Sequence, residues 1–266
     1  MTATTTGHTS RKRIISLEVS QLSYDQTTRQ ILDWGRQHRP AYVCFANVHM
    51  AIEAHWSPEF AATVNQADIV APDGMPLAKA FQSLHGVHQE RVAGMDMLPT
   101  LLAECAAQGL SVYFFGTTDE TLQAIGQRIG REHPQLKVAG LFSPPFGSLN
   151  AANNAVYAQK INESGANLVM VVLGCPKQEN WMAQNSRHIN AVLLGVGGAV
   201  DVYAGMRRRA PAWMQKLALE WFYRLLQEPK RMFKRYFVTN SLYIWLLGRQ
   251  LLKKKTQSPP TPEGGV

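Results

Sequence analysis

The tightest constraint in this 266-residue chain is a series of short apolar runs, each closed by glycine, proline or polar residues. Residues 41–46 read AYVCFA, 68–71 DIVA, 111–116 SVYFFG, 137–142 KVAGLF, 167–174 NLVMVVLG and 190–201 NAVLLGVGGAVD. Runs this short and this uniformly apolar are the pattern of strands buried on both faces. Helical spacing lies between them. It covers 51–67, 96–108 (apolar Met97, Leu98, Leu101, Leu102 and Cys105, with Gly109 as the stop), the stretch capped by Thr117 or Thr118, and 151–163. Such alternation predicts an α/β fold, a mostly parallel sheet with helices on both faces. Ligands of such sheets bind outside the carboxyl ends of the strands. Asn47, Asp73, Gly116, Lys177–Gln178–Glu179 and Gly195–Gly198 are therefore expected to meet at one crevice.

Charge is segregated along the chain. Residues 207–255 hold thirteen Lys/Arg and two Glu, a net +11, whereas residues 1–206 hold fourteen and sixteen, a net −2. Such asymmetry points to a polyanionic or membrane-surface partner. Trp213, Leu217, Trp221 and Leu225 are four apart and are expected to line one helix face. Arg224, Arg231 and Arg235 follow near-helical spacing, with Pro229 expected to kink or restart the helix. A basic amphipathic helical appendage of this kind suits in-plane membrane binding, and arginine forks suit a diphosphate. The alternative is a solvated cationic face over a docked helix. No run reaches the ~20 apolar residues that span a bilayer. The nearest, 236–247, is broken by Thr239, Asn240 and Ser241.

These patterns divide the chain into a disordered leader (1–13), an α/β domain (14–206), a membrane-associating appendage (207–255) and a disordered tail (256–266). The leader lacks the apolar h-region of a secretory signal. Cys44, Cys105 and Cys175 read as buried free thiols of a reducing cytoplasm.

Several stretches can carry chemistry. In APDGMP, Asp73 follows a strand and suits a general base, or an Asx-turn. In LGVGGAVD, Gly195, Gly197 and Gly198 would let backbone N–H groups approach a phosphate or sugar; the spacing is neither a P-loop nor G-x-G-x-x-G. In LGCPKQE, Lys177 suits a phosphate, Gln178 a sugar hydroxyl or base edge, and Glu179 a sugar hydroxyl; the alternative is a helix first turn with Glu179 facing the dipole. In RVAGMD, Arg91 is a binding candidate and Asp96 reads as an N-cap. The eight histidines are scattered, no D-x-D or G-x-S-x-G occurs, and no metal site is expected.

Together ANVHM, APDGMP, RVAGMD, YFFG, LGCPKQE, GVGGAVDVYAG and RRAPAWMQKLALEWFYRLLQEPKRMFKRY resemble the WecG/TagA/CpsF family of bacterial glycosyltransferases over about residues 40–240. FSPPFG and APDGMPLAKA look closer to the exopolysaccharide branch with xanthan-type glucosyltransferases. The resemblance implies a Rossmann-like domain whose C-terminal appendage meets the membrane and helps close the site. It implies a metal-independent, inverting transfer from a UDP-sugar to a sugar held on undecaprenyl diphosphate, with no cofactor. The expected donor is UDP-glucose, with UDP-N-acetylmannosamine or its uronic acid as alternatives.

Carried over by motif, Asp73 is the base, Asn47 shares its pocket, and Gln178 contacts donor or reacting sugar. The glycine turn lies near the nucleotide diphosphate. Arg224 and Arg231 reach the leaving or lipid diphosphate, assisted by Lys234 or Arg235. The family's threonine two places before the asparagine is here Phe45, which leaves that role unfilled or taken elsewhere. The expected setting is peripheral, on the cytoplasmic face of the inner membrane among anionic lipids, with no nucleic acid and with a homo-oligomer left open. Two other classes remain: a nucleic-acid binder using the basic aromatic segment, and a membrane adaptor that binds no UDP. A dinucleotide oxidoreductase lacks its fingerprint.

Overall fold

The apolar runs pair into one sheet in the computed structural model, which describes residues 10–217 and 219–257. The chain opens with a hairpin, β1 (Arg11–Ile14) and β2 (Leu17–Ser20), in antiparallel register. Then follow α1 (Tyr24–Arg36), β3 (Ala41–Ala46), α2 (Val48–Trp56), α3 (Pro58–Asn65), β4 (Ile69–Pro72), α4 (Met75–His85) and α5 (Gly94–Gln108). Next come β5 (Ser111–Gly116), α6 (Asp119–Glu132), β6 (Lys137–Phe142), α7 (Ala151–Glu163), β7 (Leu168–Val172), α8 (Lys177–Asn185), β8 (Val192–Gly195) and α9 (Ala199–Tyr203). Three helices close the described chain: α10 (Ala212–Lys216), α11 (Glu220–Gln227) and α12 (Pro229–Gln257). The six-stranded sheet runs β4-β3-β8-β7-β5-β6, and every neighbouring pair is parallel.

Alternation along the strands explains why the sheet is covered twice. Tyr42, Cys44, Tyr113, Phe115, Val169, Val171 and Leu193 enter one core, with α2, α3, α4, α7, α8 and the hairpin. Val43, Phe45, Val112, Phe114, Leu168, Met170 and Leu194 enter the other, with α1, α5, α6 and α9. Phe114 and Phe115 are fully buried on opposite faces of β5, each contributing about 1.5–3 kcal/mol.

Some expectations shift. Residues 11–13, assigned to the leader, belong to β1, preceded by Ser10 outside any strand, and residues 256–257, assigned to the tail, belong to α12; residues 1–9 and 258–266 lie outside the described residues. The helical stretch 51–67 is two helices. Ser57 ends α2 and caps α3 by accepting from Phe60 N (3.2 Å), with Pro58 at the first position. The continuous face from Trp213 to Leu225 does not form, because α10 ends at Lys216 and α11 begins at Glu220. Pro229 does restart the helix: Glu228 caps α11, and α12 opens at the proline, where a missing N–H costs nothing.

One side of α12 is docked on the α/β body. Met232, Thr239 and Tyr243 are buried. Tyr243 Oη donates to Pro76 O (3.1 Å), Gln250 accepts from Ile15 N (2.8 Å) and donates to Arg13 O (3.0 Å), and Lys254 donates to Leu84 O. The opposite side presents Phe233, Phe237, Ile244 and Leu252 to solvent, each at least 64% exposed. No helix of the described residues is long and apolar enough to cross a membrane.

The turn after β5 depends on a glycine. Gly116 has φ +113°, and a Cβ there would lie 2.4 Å from the backbone carbonyl oxygen of Val172. Gly116→Ala is expected to cost about 1–3 kcal/mol, read as a lowered urea midpoint with unchanged slope. An unchanged midpoint would show that the turn relaxes freely.

Candidate active site

Five strand ends converge on a cavity of about 760 Å³. β3 delivers Asn47, β4 Asp73, β5 Thr117, β7 Gly174 and Gln178, and β8 the turn Gly195–Gly198. The open side is closed by the segment after α9 and by α11 and α12, through Arg207, Arg208, Arg209, Glu220, Arg224 and Arg235.

Asp73 extends β4, its N–H donating to Ala46 O of β3 (2.8 Å). Its carboxylate accepts from Gly94 N (2.8 Å) at the start of α5. Burial pushes its pKa up to about 6, and the charge of Glu220 adds to the rise. The Gly94 bond, the Arg91 charge and a bond from Asn47 oppose it. Asn47 also caps α2, accepting from Met50 N (3.2 Å). Phe45 packs on Gly94, where an added Cβ would stand 3.5 Å from its ring.

Gln178 is fixed rather than free. Its Nε2 donates to Glu179 Oε1 (2.7 Å) and Gly195 O (3.0 Å), and its Oε1 accepts from Gly174 N (3.2 Å). Both amide protons are thus spent on tying the loop after β7 to the turn after β8. The glycines permit this contact, since a Cβ on Gly195 or Gly197 would meet the Gln178 amide at 3.0–3.1 Å. Glu179 does not face the cavity: it is fully buried, and burial pushes its pKa up to about 7 against the bond from Gln178.

The arginines fall into two groups. Arg91 bridges Asp96 (2.7 Å) and Glu220 (2.8 Å), Arg209 bonds the other oxygen of Asp96, and Arg207 lies between Asp201 (3.4 Å) and Glu228 (3.1 Å). These pairs tie α11 and the preceding segment to the body. Arg208, Arg224 and Arg235 have no ion pair among the described residues. Arg224 reaches over the glycine turn, where a Cβ on Gly198 would lie 3.0 Å from its Nη2. Arg235 contacts Met232 S and the ring of Tyr236. His49 stands beside them, its pKa lowered to about 4 by burial and by the charges of Arg235 and Arg224, so its imidazole is neutral.

Asn47, Asp73, Gln178, Gly195, Gly197, Gly198, Arg224 and Arg235 therefore line one cavity as expected. Arg91 stands behind its wall, in the pairs described. Lys177 turns into a neighbouring cavity of about 580 Å³, near Phe146. Lys234 is exposed and lines neither cavity. Arg231 belongs to α12 by its backbone, and its side chain lies outside the described residues. Asp96 does not cap α5, whose N-cap is Ala93; its carboxylate is taken by Arg91 and Arg209. His49, Glu220 and the triplet 207–209 were not singled out. The run RRR that opens the appendage is the available signal. Among the described residues, no three His, Cys, Asp or Glu side chains group to hold a metal ion.

The cavity thus joins a carboxylate that titrates near neutrality to an anion-attracting wall. The model of the glycosyl transferase WecG/TagA/CpsF family matches residues 12–257. Two proteins named N-acetylglucosaminyldiphosphoundecaprenol N-acetyl-beta-D-mannosaminyltransferase are similar. One, from Bacillus spizizenii, is 31% identical over 197 residues, covering 73% of this chain and 74% of its own. The other, from Bacillus subtilis, is 28% identical over 225 residues, 84% of each chain.

The part-buried charge of Asp73 has a measurable cost. A carboxyl whose folded pKa is raised stabilises the fold fully only below its unfolded value, and that contribution is lost as pH rises through about 6. Asp73→Asn removes the charge and is expected to stabilise by on the order of 2 kcal/mol at about pH 8, the gain shrinking toward zero at about pH 4. Thermal melts across pH read this directly; a pH-independent difference would place the cost elsewhere.

Proposed function

The chain belongs to the WecG/TagA/CpsF glycosyltransferase family, and on that premise we propose that it transfers N-acetylmannosamine from UDP-N-acetylmannosamine to N-acetylglucosamine on a polyprenyl diphosphate. The observation carrying this reading is the pairing, in one cavity, of a near-neutral carboxylate with three arginines that lack anionic partners among the described residues. The names of the two relatives favour N-acetylmannosamine over the glucose donor and xanthan-type branch expected from the sequence.

Asp73 takes the proton of the attacking acceptor hydroxyl. The oxygen forms its bond to the anomeric carbon as the bond to UDP breaks, and the electron pair leaves with the diphosphate. Attack opposite the leaving group inverts the anomeric configuration. Charge growing on the diphosphate is met by Arg224, Arg235 and Arg208, which line the cavity. Gln178 acts by holding the glycine turn beneath Arg224 rather than by reading a sugar hydroxyl.

The acceptor's lipid places the reaction at a membrane. The exposed Phe233, Phe237 and Ile244 on α12, interleaved with exposed Lys230 and Lys234, form a surface suited to an anionic cytoplasmic leaflet. This supports a peripheral protein.

The deciding experiment offers UDP-N-acetylmannosamine, its uronic acid and UDP-glucose with undecaprenyl-diphosphate N-acetylglucosamine, in EDTA. Turnover is expected with the first donor, and Asp73→Asn is expected to lower it about 10²–10⁴-fold with UDP affinity little changed. Preference for UDP-glucose would restore the other donor, a strict divalent-ion requirement would remove the arginines from their role, and near-normal turnover by the variant would remove Asp73 from its own. A Phe233→Glu/Phe237→Glu variant is expected to lose most binding to vesicles with anionic lipid while keeping UDP affinity; undiminished vesicle binding would move the docking surface off α12.

A further inference from the structure

Buried polar atoms left without a partner concentrate around the cavity. Among the described residues five side-chain atoms are buried and unpaired: His49 Nδ1, Glu179 Oε2, Arg209 Nε, Glu220 Oε1 and Arg235 Nε. Four of the five belong to residues lining the main cavity. Native interiors rarely leave such groups unsatisfied, because each costs desolvation that no bond returns. Arg235 Nε fits the anionic ligand already proposed, whereas Arg209 Nε belongs to a guanidinium already paired with Asp96. Glu220 does not fit that ligand, because a carboxylate there repels a diphosphate and can only accept.

The geometry around Glu220 is asymmetric. Its Oε2 receives Arg91 Nη1 at 2.8 Å, and Arg91 in turn is fixed by Asp96 at 2.7 Å. The carboxylate is therefore held in orientation with Oε1 buried and unbonded. It lies in the same cavity as Asp73, close enough for its charge to act on it. A buried, oriented carboxylate oxygen beside the base calls for an O–H donor from the ligand. Substrates of the proposed class carry hydroxyls on the uridine ribose and on the two reacting sugars, and only the reacting sugars meet at Asp73, on which the charge of Glu220 acts.

We infer that Glu220 is a specificity-determining residue: its Oε1 accepts a hydrogen bond from a hydroxyl of one of the reacting sugars. This rests on the glycosyltransferase reading. Because Glu220 sits on α11, the sugar contact exists only when the appendage is docked. Binding the correct sugar and closing the cavity thus become one event. A sugar lacking that hydroxyl leaves the acceptor oxygen buried and unpaired, which is how polar sites reject analogues.

The test compares wild type, Glu220→Ala and Glu220→Gln on two substrate series. One removes single hydroxyls from the transferred sugar of the donor, the other from the acceptor sugar. Wild-type turnover of the parent pair is the control for the reading itself, so its absence indicts the proposed function and not Glu220. Given that control, Glu220→Ala is expected to lower kcat/KM about 10- to 100-fold on the parent pair. For one deoxy analogue the wild type should already show that loss, and the variant should add little. The series containing that analogue identifies which sugar Glu220 holds. An equal loss across every analogue in both series would overturn the inference and leave Glu220 as a partner of Arg91 alone. Should Glu220→Ala not fold, judged by its melt, Glu220→Gln carries the same comparison: a hydroxyl-dependent loss supports the contact, and a uniform one overturns it.

Discussion

Arg91 sets where the appendage stands, and the reactive half of the cavity follows from that position. Its guanidinium joins Asp96 of α5 to Glu220 of α11 and lies near enough to Asp73 to lower that carboxyl's pKa against burial. The side chains of Arg91 and Glu220 are 16% and 28% exposed, so the pair is neither a surface bridge nor a dry one. A surface bridge contributes about 0–1 kcal/mol, less than one buried apolar side chain at about 1.5–3 kcal/mol. The attachment of α12 therefore belongs to Met232, Tyr243 and the leucines packed on the body. The ion pairs fix rotation and position instead, which apolar contacts specify poorly. Arg91, Arg207 and Arg209 spend their charge this way, and Arg208, Arg224 and Arg235 are left for an anion.

Under the proposed function the cavity must meet two opposed electrostatic demands. Asp73 must be basic enough to take a proton near neutral pH, which burial provides. The diphosphate must meet positive charge, which would lower the same carboxyl if it were close. The fold separates them along the sheet edge. Asp73 ends β4 at the sheet's edge strand, whereas Arg224 lies over the turn of β8, two strands away at about 4.8 Å per strand. Glu220 works in the same direction, since its charge raises the pKa of Asp73 while Arg91 restrains the rise. His49 shows the reverse effect: desolvated and under the charges of Arg235 and Arg224, it stays neutral and adds no further charge.

What could be read from the sequence was local. Six strands were legible because their runs are apolar on both faces, and Asn47, Asp73 and Gly195–Gly198 were legible because strand ends are where such sheets bind ligands. Gly109 was legible as a helix stop and indeed adopts φ +69°. The hairpin and α1 were missed because their apolar positions are sparse among polar ones: α1 buries Ile31, Leu32 and Trp34 within TTRQILDWGR; α4 was missed although Leu77, Ala78, Phe81 and Leu84 carry helical spacing. Asp96 looked like a cap because one of its two partners, Arg209, is 113 residues away. Gln178 looked available for substrate because its bond to Gly195 spans 17 residues and depends on two strands lying side by side. Glu220 sits in a helix whose local pattern reports only amphipathicity, and its link to Arg91 spans 129 residues. Long-range polar pairing has no local signature.

The two faces of α12 explain how a protein without a spanning helix among its described residues would reach a lipid-borne sugar. Phe233 and Phe237 face outward, while Arg235, Thr239 and Tyr243 of the same turns line the cavity. A helix with its side chains is about 10–12 Å across. Under the proposed function, that thickness separates the leaflet surface met by the phenylalanines from the site where the sugars meet. An acceptor diphosphate rising from the headgroup layer would encounter Arg235 and Arg224 first and present its sugar to Asp73 beyond them. The basic, aromatic character of the C-terminal segment is then a single requirement: the helix that meets the lipid must also receive the lipid's diphosphate.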